Sequence, residues 1–148
     1  MNFPILSSLI ILPTVGALFL LFSKDKNSNT GKYVALFTSF VNFLISIYLW
    51  YLFDPSTSDF QFVEDRKWLV EFVNYKIGID GISILFIILT TLITPLCIIS
   101  VNNTIKIRLR DFLIAILVME SLLIGVFCSL DLVIFYLFFE AGLIPMFL

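Results

Sequence analysis

Long uncharged apolar runs dominate this sequence. A helix needs about 20 apolar residues to cross a hydrocarbon core roughly 30 Å thick, and runs of about that length recur along the 148 residues. With 60% of its residues hydrophobic, the chain has more apolar surface than a soluble domain of this size can bury. We therefore predict an all-α membrane protein of about five transmembrane helices in a single domain. The predicted helices cover approximately residues 3–22, 33–53, 82–101, 112–129 and 131–148.

Residues 54–79 form the only long polar segment. It opens with the turn-rich DPSTSD and then mixes apolar and charged residues without a helical period. We predict a short hairpin on the membrane surface. Asp80 and Asp131 each precede an apolar run, where a carboxylate can accept hydrogen bonds from free backbone N–H groups. Both are predicted helix N-caps.

The basic residues are unevenly distributed between alternate connections. Cytoplasmic loops of membrane proteins carry an excess of Lys and Arg. The first and third connections hold Lys24, Lys26, Lys32, Lys106, Arg108 and Arg110, whereas the segment 54–79 holds Arg66, Lys67 and Lys76. This asymmetry predicts that the amino terminus and the polar loop 54–79 lie outside, and that helices one, three and five end inside.

Glu120 and Glu140 interrupt the fourth and fifth apolar runs. A charged side chain at the centre of a membrane helix costs about 2.5–3.5 kcal/mol on insertion scales, so such residues face a bundle interior or a wet cavity. Each acid lies about ten residues from the turn that joins the two helices, which is roughly 15 Å along a helix. Both carboxyl groups are therefore predicted near the bilayer midplane.

Their helical neighbours are almost entirely apolar, so polar partners must come from other helices or from water. A carboxyl held between an apolar surrounding and a basic partner can bind and release a proton near neutral pH. Pro145 leaves the Ala141 carbonyl without a helical partner, which opens the backbone beside Glu140. The alternative is that each glutamate is neutral, hydrogen-bonded, and only ties helices together.

Other kinds of site have no support in the sequence. There is no histidine, and both cysteines, Cys97 and Cys128, fall within apolar runs. We find no glycine-rich phosphate loop, no Cys-x-x-Cys pair and no nucleophile elbow, so no cofactor or metal is expected on this chain. The net charge of −2 does not indicate a nucleic-acid partner.

Three stretches resemble chain 4 of NADH–ubiquinone oxidoreductase, the respiratory complex I. YKIGIDGISILFIILTTLITPLCI, from Tyr75 to Ile98, resembles the entrance to that family's third helix. VFCSLDLVIFYLFFEAGLIPMFL, from Val126 to Leu148, resembles its fifth helix, and DPSTSDFQFVEDRKWL, from Asp54 to Leu69, is similar to plant and protist forms. The resemblance covers most of the chain.

The resemblance implies the first part of a fourteen-helix fold related to cation/proton antiporter subunits. It implies a proton-pumping membrane-arm subunit, with NADH, flavin, iron–sulfur clusters and ubiquinone bound by other subunits. Glu140 matches the family's fifth-helix glutamate, which is essential for pumping, and Glu120 matches a contributing fourth-helix glutamate. The family's partner lysine lies on a seventh helix, beyond Leu148.

The expected partners are other membrane-arm subunits, lipids and a separate chain that supplies the later helices. The expected location is the mitochondrial inner membrane, with the gene in the organelle, or alternatively a bacterial plasma membrane. Two other functions stay open from the sequence. One is the large subunit of a multi-subunit Na⁺/H⁺ antiporter, and the other is a purely structural part of the membrane arm.

Overall fold

Five helices and one β-hairpin make up the computed structural model, which describes residues 4–24, 28–70, 73–101 and 108–147. This confirms the predicted five-helix membrane architecture. Four of these helices are long and apolar enough to cross a membrane, whereas the last is a shorter apolar helix of 16 residues. In chain order the elements are α1 (Ile5–Phe22), α2 (Ser28–Leu52), β1 (Gln61–Val70), β2 (Val73–Ile79), α3 (Gly81–Ser100), α4 (Leu109–Cys128) and α5 (Leu132–Phe147).

Two helices begin earlier than their apolar runs. Helix α2 starts at Ser28 rather than at 33, and α4 starts at Leu109 rather than at 112. Hydropathy marks the length of chain that lies in hydrocarbon, but the backbone can continue its helical hydrogen bonds into the polar zone. The first turns of both helices are therefore polar extensions of the spans.

The bundle has two ends, which we name by what lies there. The hairpin end holds β1, β2, Asp80 and the junction between α4 and α5. The basic end holds the carboxyl end of α1 and the amino end of α4, where the Arg110 guanidinium donates to the carbonyls of Leu21 and Ser23, both at 3.0 Å. Lys26 and Lys106 of the predicted basic set lie outside the described residues.

Helix α4 is the centre of the bundle and packs against each of the other four helices. Its buried residues recur at intervals of three and four, as expected for one face of a helix inside a bundle. They are Leu113, Leu117, Glu120, Ser121, Ile124, Gly125 and Cys128. Gly125 allows α5 to approach closely, because a Cβ there would lie 2.7 Å from Cδ1 of Phe138.

The interior consists of two apolar clusters with a polar layer between them. The cluster at the hairpin end includes Leu9, Leu49 and Ile87, and the cluster at the basic end includes Ala17 and Leu113. Every buried polar or charged side chain that the structure describes falls at intermediate depth on α2, α3 or α4. We call these residues the mid-depth layer: Thr38, Ser39, Asn42, Ser46, Thr91, Thr94, Glu120 and Ser121.

The segment 54–79 contains the predicted hairpin. Strands β1 and β2 are antiparallel, and the Asp65–Lys76 pair places opposite charges across them. The hairpin is fixed to the bundle by a bridge between Ile77 and Ser129, and by the Leu130 N–H, which donates to the Lys76 carbonyl at 3.0 Å. The polar loop therefore rests on the junction of α4 and α5.

Side chains from distant elements satisfy both ends of α1. At its amino end the Glu64 carboxylate accepts from the Ser7 N–H at 3.3 Å and from the Ser7 hydroxyl, which also lies 3.3 Å from the Tyr75 hydroxyl. Burial raises the pKa of the Tyr75 phenol. With Arg110 at the other end, an acid meets the positive end of the helix dipole and a base meets the negative end.

Both predicted N-caps are confirmed. The Asp80 carboxylate accepts from the Ser83 N–H at 2.8 Å, and the Asp131 carboxylate accepts from the Val133 N–H at 2.8 Å. Hydrogen bonds from Ser83 hold the pKa of Asp80 below its ordinary value. These two acids fix where α3 and α5 begin.

Gly125→Ala should weaken the packing of α4 against α5, because the added methyl group has no room beside Phe138. Overpacking of this kind typically costs about 1–3 kcal/mol. The assembled protein should lose thermal stability. The measurement is the temperature at which half of the folded protein is lost when detergent-solubilised membranes are heated. Gly81→Ala is the control, since within the described chain its new Cβ meets no heavy atom within 4 Å. An equal effect of both changes would contradict this packing.

Asp80→Ala should destabilise the start of α3 by about 0.5–2 kcal/mol at pH 7, whereas Asp80→Asn should cost less because the amide oxygen still caps. Since the pKa of Asp80 is lowered in the folded state, its carboxylate contributes fully above its ordinary pKa. That contribution is lost as the pH falls through the lowered value. The difference in melting temperature between wild type and Asp80→Ala should therefore shrink below about pH 4.

Candidate functional site

Glu120 is the only charged residue among the buried side chains that the structure describes. It lies on α4 with 1% of its surface exposed, and the Asn42 side chain on α2 is fully buried against it. Asn42 Nδ2 donates to Glu120 Oε1 at 3.0 Å. The sequence predicted that a polar partner for Glu120 would come from another helix, and the structure shows that this partner is the Asn42 amide.

The pair leaves one oxygen unused on each side chain. Glu120 Oε2 and Asn42 Oδ1 are both buried and have no hydrogen-bond partner among the described residues. An unsatisfied buried acceptor costs about 1–3 kcal/mol. The carboxyl group is thus held at one oxygen, while the other remains available for a proton or a further partner.

Hydroxyl groups complete the mid-depth layer. Ser46 on α2 lies 2.8 Å from Thr91 on α3, oxygen to oxygen. Ser121, beside Glu120, lies 2.8 Å from Thr14 of α1 and also donates to the Ile10 carbonyl. Side-chain hydrogen bonds thus link α4 to α1 and to α2, and α2 to α3, within one slab.

Glu140 lies at the same depth as Glu120 but faces a different direction. Glu120 is eight residues before the end of α4 at Cys128, and Glu140 is eight residues after the start of α5 at Leu132, each roughly 12 Å of helix. The Glu140 side chain is exposed on the outside of the bundle. The structure therefore does not bring the two acids together in one buried pair.

In the described chain, no other element covers most of the outer face of α5. Ile134 is its only buried residue in that part of the chain, whereas Phe139 and Ile144 are 52% and 65% exposed. Pro145 is inside the helix and borders a groove of about 810 Å³ that Phe112 and Met119 of α4 also line. The Glu140 side of α5 is thus an open apolar face with one acid.

The described part of the chain contains no group of three or more histidine, cysteine or acidic side chains placed to hold a metal ion. Asn42 is the site residue that the sequence analysis did not single out. The available signal was a polar stripe within an otherwise apolar run, at positions 38, 39, 42 and 46. That spacing places four polar side chains on one face of α2.

The amino-acid sequence matches a known family over most of its length. A family model described as NADH-ubiquinone oxidoreductase chain 4, amino terminus, matches residues 8–126. The chain belongs to this family. NADH-ubiquinone oxidoreductase chain 4 of Marchantia polymorpha is 46% identical over 144 residues, which cover 97% of this chain and 29% of that protein.

Two further relatives come from a fungus and a bacterium. The Mycosarcoma maydis chain 4 is 48% identical over 97% of this chain and 30% of its own length. NADH-quinone oxidoreductase subunit M of Rhodobacter capsulatus is 54% identical over 84% of this chain and 23% of its own length. The chain thus spans less than a third of these curated relatives. Their names favour a complex I subunit over a subunit of a Na⁺/H⁺ antiporter.

Proposed function

We propose that this chain is part of the proton-translocating membrane arm of NADH:ubiquinone oxidoreductase. Glu140 and Glu120 would carry protons, and the redox reaction would take place on other subunits, which bind NADH, flavin, iron–sulfur clusters and ubiquinone. The protein would reside in the mitochondrial inner membrane, encoded in the organelle. Membership of the chain 4 family supports this function.

One structural observation carries the proposal. A carboxyl group is buried at mid-depth in an apolar bundle, and its only described hydrogen-bond partner is a neutral amide. Ionisable residues inside membrane segments are costly and commonly mark proton routes. Hydroxyl-bearing side chains on α1, α2, α3 and α4 extend the polar slab around it.

Glu140 would exchange protons on the outer face of α5. A charged side chain facing lipid at this depth would cost about 2.5–3.5 kcal/mol. A neighbouring helix that brings a basic side chain would offset this cost and change the proton affinity of the carboxyl group. A change of charge on either partner would then alter the proton affinity of the other. Energy from the redox arm would reach this chain through such a change of charge.

A structural role is the second candidate, and the Asn42–Glu120 hydrogen bond favours it. A neutral glutamic acid can tie α2 to α4 without moving a proton. The two functions differ in what an isosteric amide does, because glutamine keeps the hydrogen-bonding shape of the acid but cannot release a proton.

Glu140→Gln should lower the rate of proton pumping on the order of a hundredfold, because the amide cannot transfer protons. Glu120→Gln should lower it by a smaller factor. The pumping rate is measured as the initial rate of acidification with NADH in sealed membranes that contain the assembled complex. Asp59→Asn, an exposed acid in the polar loop, should leave pumping unchanged. Normal pumping and assembly in both glutamine variants would favour the structural role.

We also propose that protein covers the Glu140 face of α5 in the assembled complex. A photoreactive amino acid at Phe139, which is half exposed, should give adducts with protein in the intact complex. Mass spectrometry of the product identifies the partner. Adducts with lipid alone would contradict the covered face.

A further inference from the structure

Three polar side chains meet at the hairpin end of the bundle, each from a different element. Ser7 of α1 lies between Glu64 of β1 and Tyr75 of β2. The Ser7 hydroxyl donates to Glu64 Oε2 and lies 3.3 Å from the Tyr75 hydroxyl, and the Ser7 N–H donates to Glu64 Oε1 at 3.3 Å. A chain of three oxygen atoms, Tyr75 Oη, Ser7 Oγ and Glu64 Oε2, therefore joins the hairpin to α1.

The partner of Glu64 differs in kind from the partner of the acid that caps α5. The Asp131 carboxylate accepts from the Val133 N–H, a group that can only donate and so favours the ionised acid. A serine hydroxyl can donate or accept. If Glu64 Oε2 is protonated, the Ser7 hydroxyl can turn and accept that hydrogen, while Oε1 still accepts from the Ser7 N–H. Glu64 can therefore gain or lose a proton and keep both contacts with Ser7.

The two ends of the oxygen chain lie in different surroundings. The Tyr75 ring packs against the apolar cluster at the hairpin end. Burial raises the pKa of its phenol, so the hydroxyl stays protonated near neutral pH. Glu64 is partly exposed, and its neighbours on β1, Val63 and Asp65, are exposed. The chain thus leads from the apolar side of the hairpin to a carboxyl group that water can reach.

The charged groups around Glu64 come from the hairpin, since β1 packs against β2 and α1, and α1 carries no charged residue. The other charged side chains on the two strands are Asp65, Arg66, Lys67 and Lys76. The buried Cys128 thiol of α4 belongs to the apolar cluster on which β2 packs. Within the described ranges, no basic side chain forms an ion pair with Glu64, and its carboxyl group makes hydrogen bonds only with α1.

We infer that Tyr75, Ser7 and Glu64 form a proton relay that releases translocated protons at the hairpin end. The inference rests on the proposed proton translocation and assigns its last step. A proton that reaches the Tyr75 oxygen displaces the phenol hydrogen to Ser7 Oγ, and the Ser7 hydroxyl hydrogen passes to Glu64 Oε2. The neutral acid then gives its proton to water, which restores the carboxylate. The distribution of Lys and Arg predicts that this end lies outside, where the proposed pump would release protons.

Glu64→Gln and Tyr75→Phe test the relay in the assembled complex. Glutamine keeps an oxygen that can accept from the Ser7 N–H, and phenylalanine keeps the packed ring, but neither side chain can pass the proton. Each change should lower the initial rate of acidification with NADH on the order of tenfold. This is less than the usual loss of about 10²–10⁴-fold for a positioned acid or base, because water can partly replace a partly exposed group.

Asp65→Asn is the matched control. It removes one negative charge from the same strand, at an exposed side chain that lies opposite Lys76. Successive side chains of a strand point to opposite faces, so Asp65 points away from the face that carries Glu64. The pumping rate should stay unchanged, and a loss equal to that in Glu64→Gln would overturn the relay.

Infrared spectroscopy gives a second measurement, which a purely structural cap would not change. Acidification from about pH 7 to about pH 4 spans the ordinary range of carboxyl groups and should produce a C=O stretching band that is absent from Glu64→Gln. In Tyr75→Phe this band should shift, because the Ser7 hydroxyl that accepts the carboxyl proton loses its own acceptor. A missing band, or a band that Tyr75→Phe leaves in place, would overturn the relay.

The outcomes separate the relay from the proposed function. Normal pumping in both Glu140→Gln and Glu120→Gln would contradict the proposed function. Impaired pumping in those variants, together with normal pumping in Glu64→Gln or Tyr75→Phe, would overturn the relay alone. If Glu64→Gln does not assemble, Tyr75→Phe decides, because it leaves both contacts between Glu64 and Ser7 in place.

Discussion

A carboxyl group inside a hydrocarbon slab is the constraint around which this bundle is organised. Glu120 is tolerated because Asn42 reaches it from α2 and because hydroxyl groups occupy the same depth. An isolated ionised group at this position would be expensive, so the surrounding helices must supply polar atoms there and nowhere else in the described interior. Apolar clusters lie on both sides of this layer, toward the two ends of the bundle. The mid-depth layer is therefore a polar layer between two apolar clusters.

The elements outside the slab hold the helices in the register that this layer requires. Glu64 and Arg110 satisfy opposite ends of α1, and the hairpin is bound to the junction of α4 and α5. A shift of one residue along α4 rotates its side chains by about 100° and moves Glu120 away from Asn42. The polar contacts at the bundle ends therefore help to keep Glu120 and Asn42 within hydrogen-bond distance at mid-depth.

The two acids differ in a way that fits a site extending beyond the described bundle. Glu120 is enclosed and hydrogen-bonded, whereas Glu140 lies on a face with no described neighbour. The relatives are more than three times as long as the matched region, so they contain further chain that the described bundle does not include. A carboxyl group on the outer side and one on the inner side of the same helical hairpin would suit stepwise proton transfer.

The sequence by itself determined the number of helices, both N-caps, the hairpin and the equal depth of Glu120 and Glu140. These features depend on local quantities: run length, the residue type before a run, and residue count from a turn. Only the tertiary structure decided that Asn42, 78 residues away, meets Glu120, that Arg110 caps α1, and that Glu140 faces outward. Helices α1 and α5 are apolar on every side, so hydrophobic periodicity cannot tell their inner face from their outer face. Packing between distant segments makes that choice.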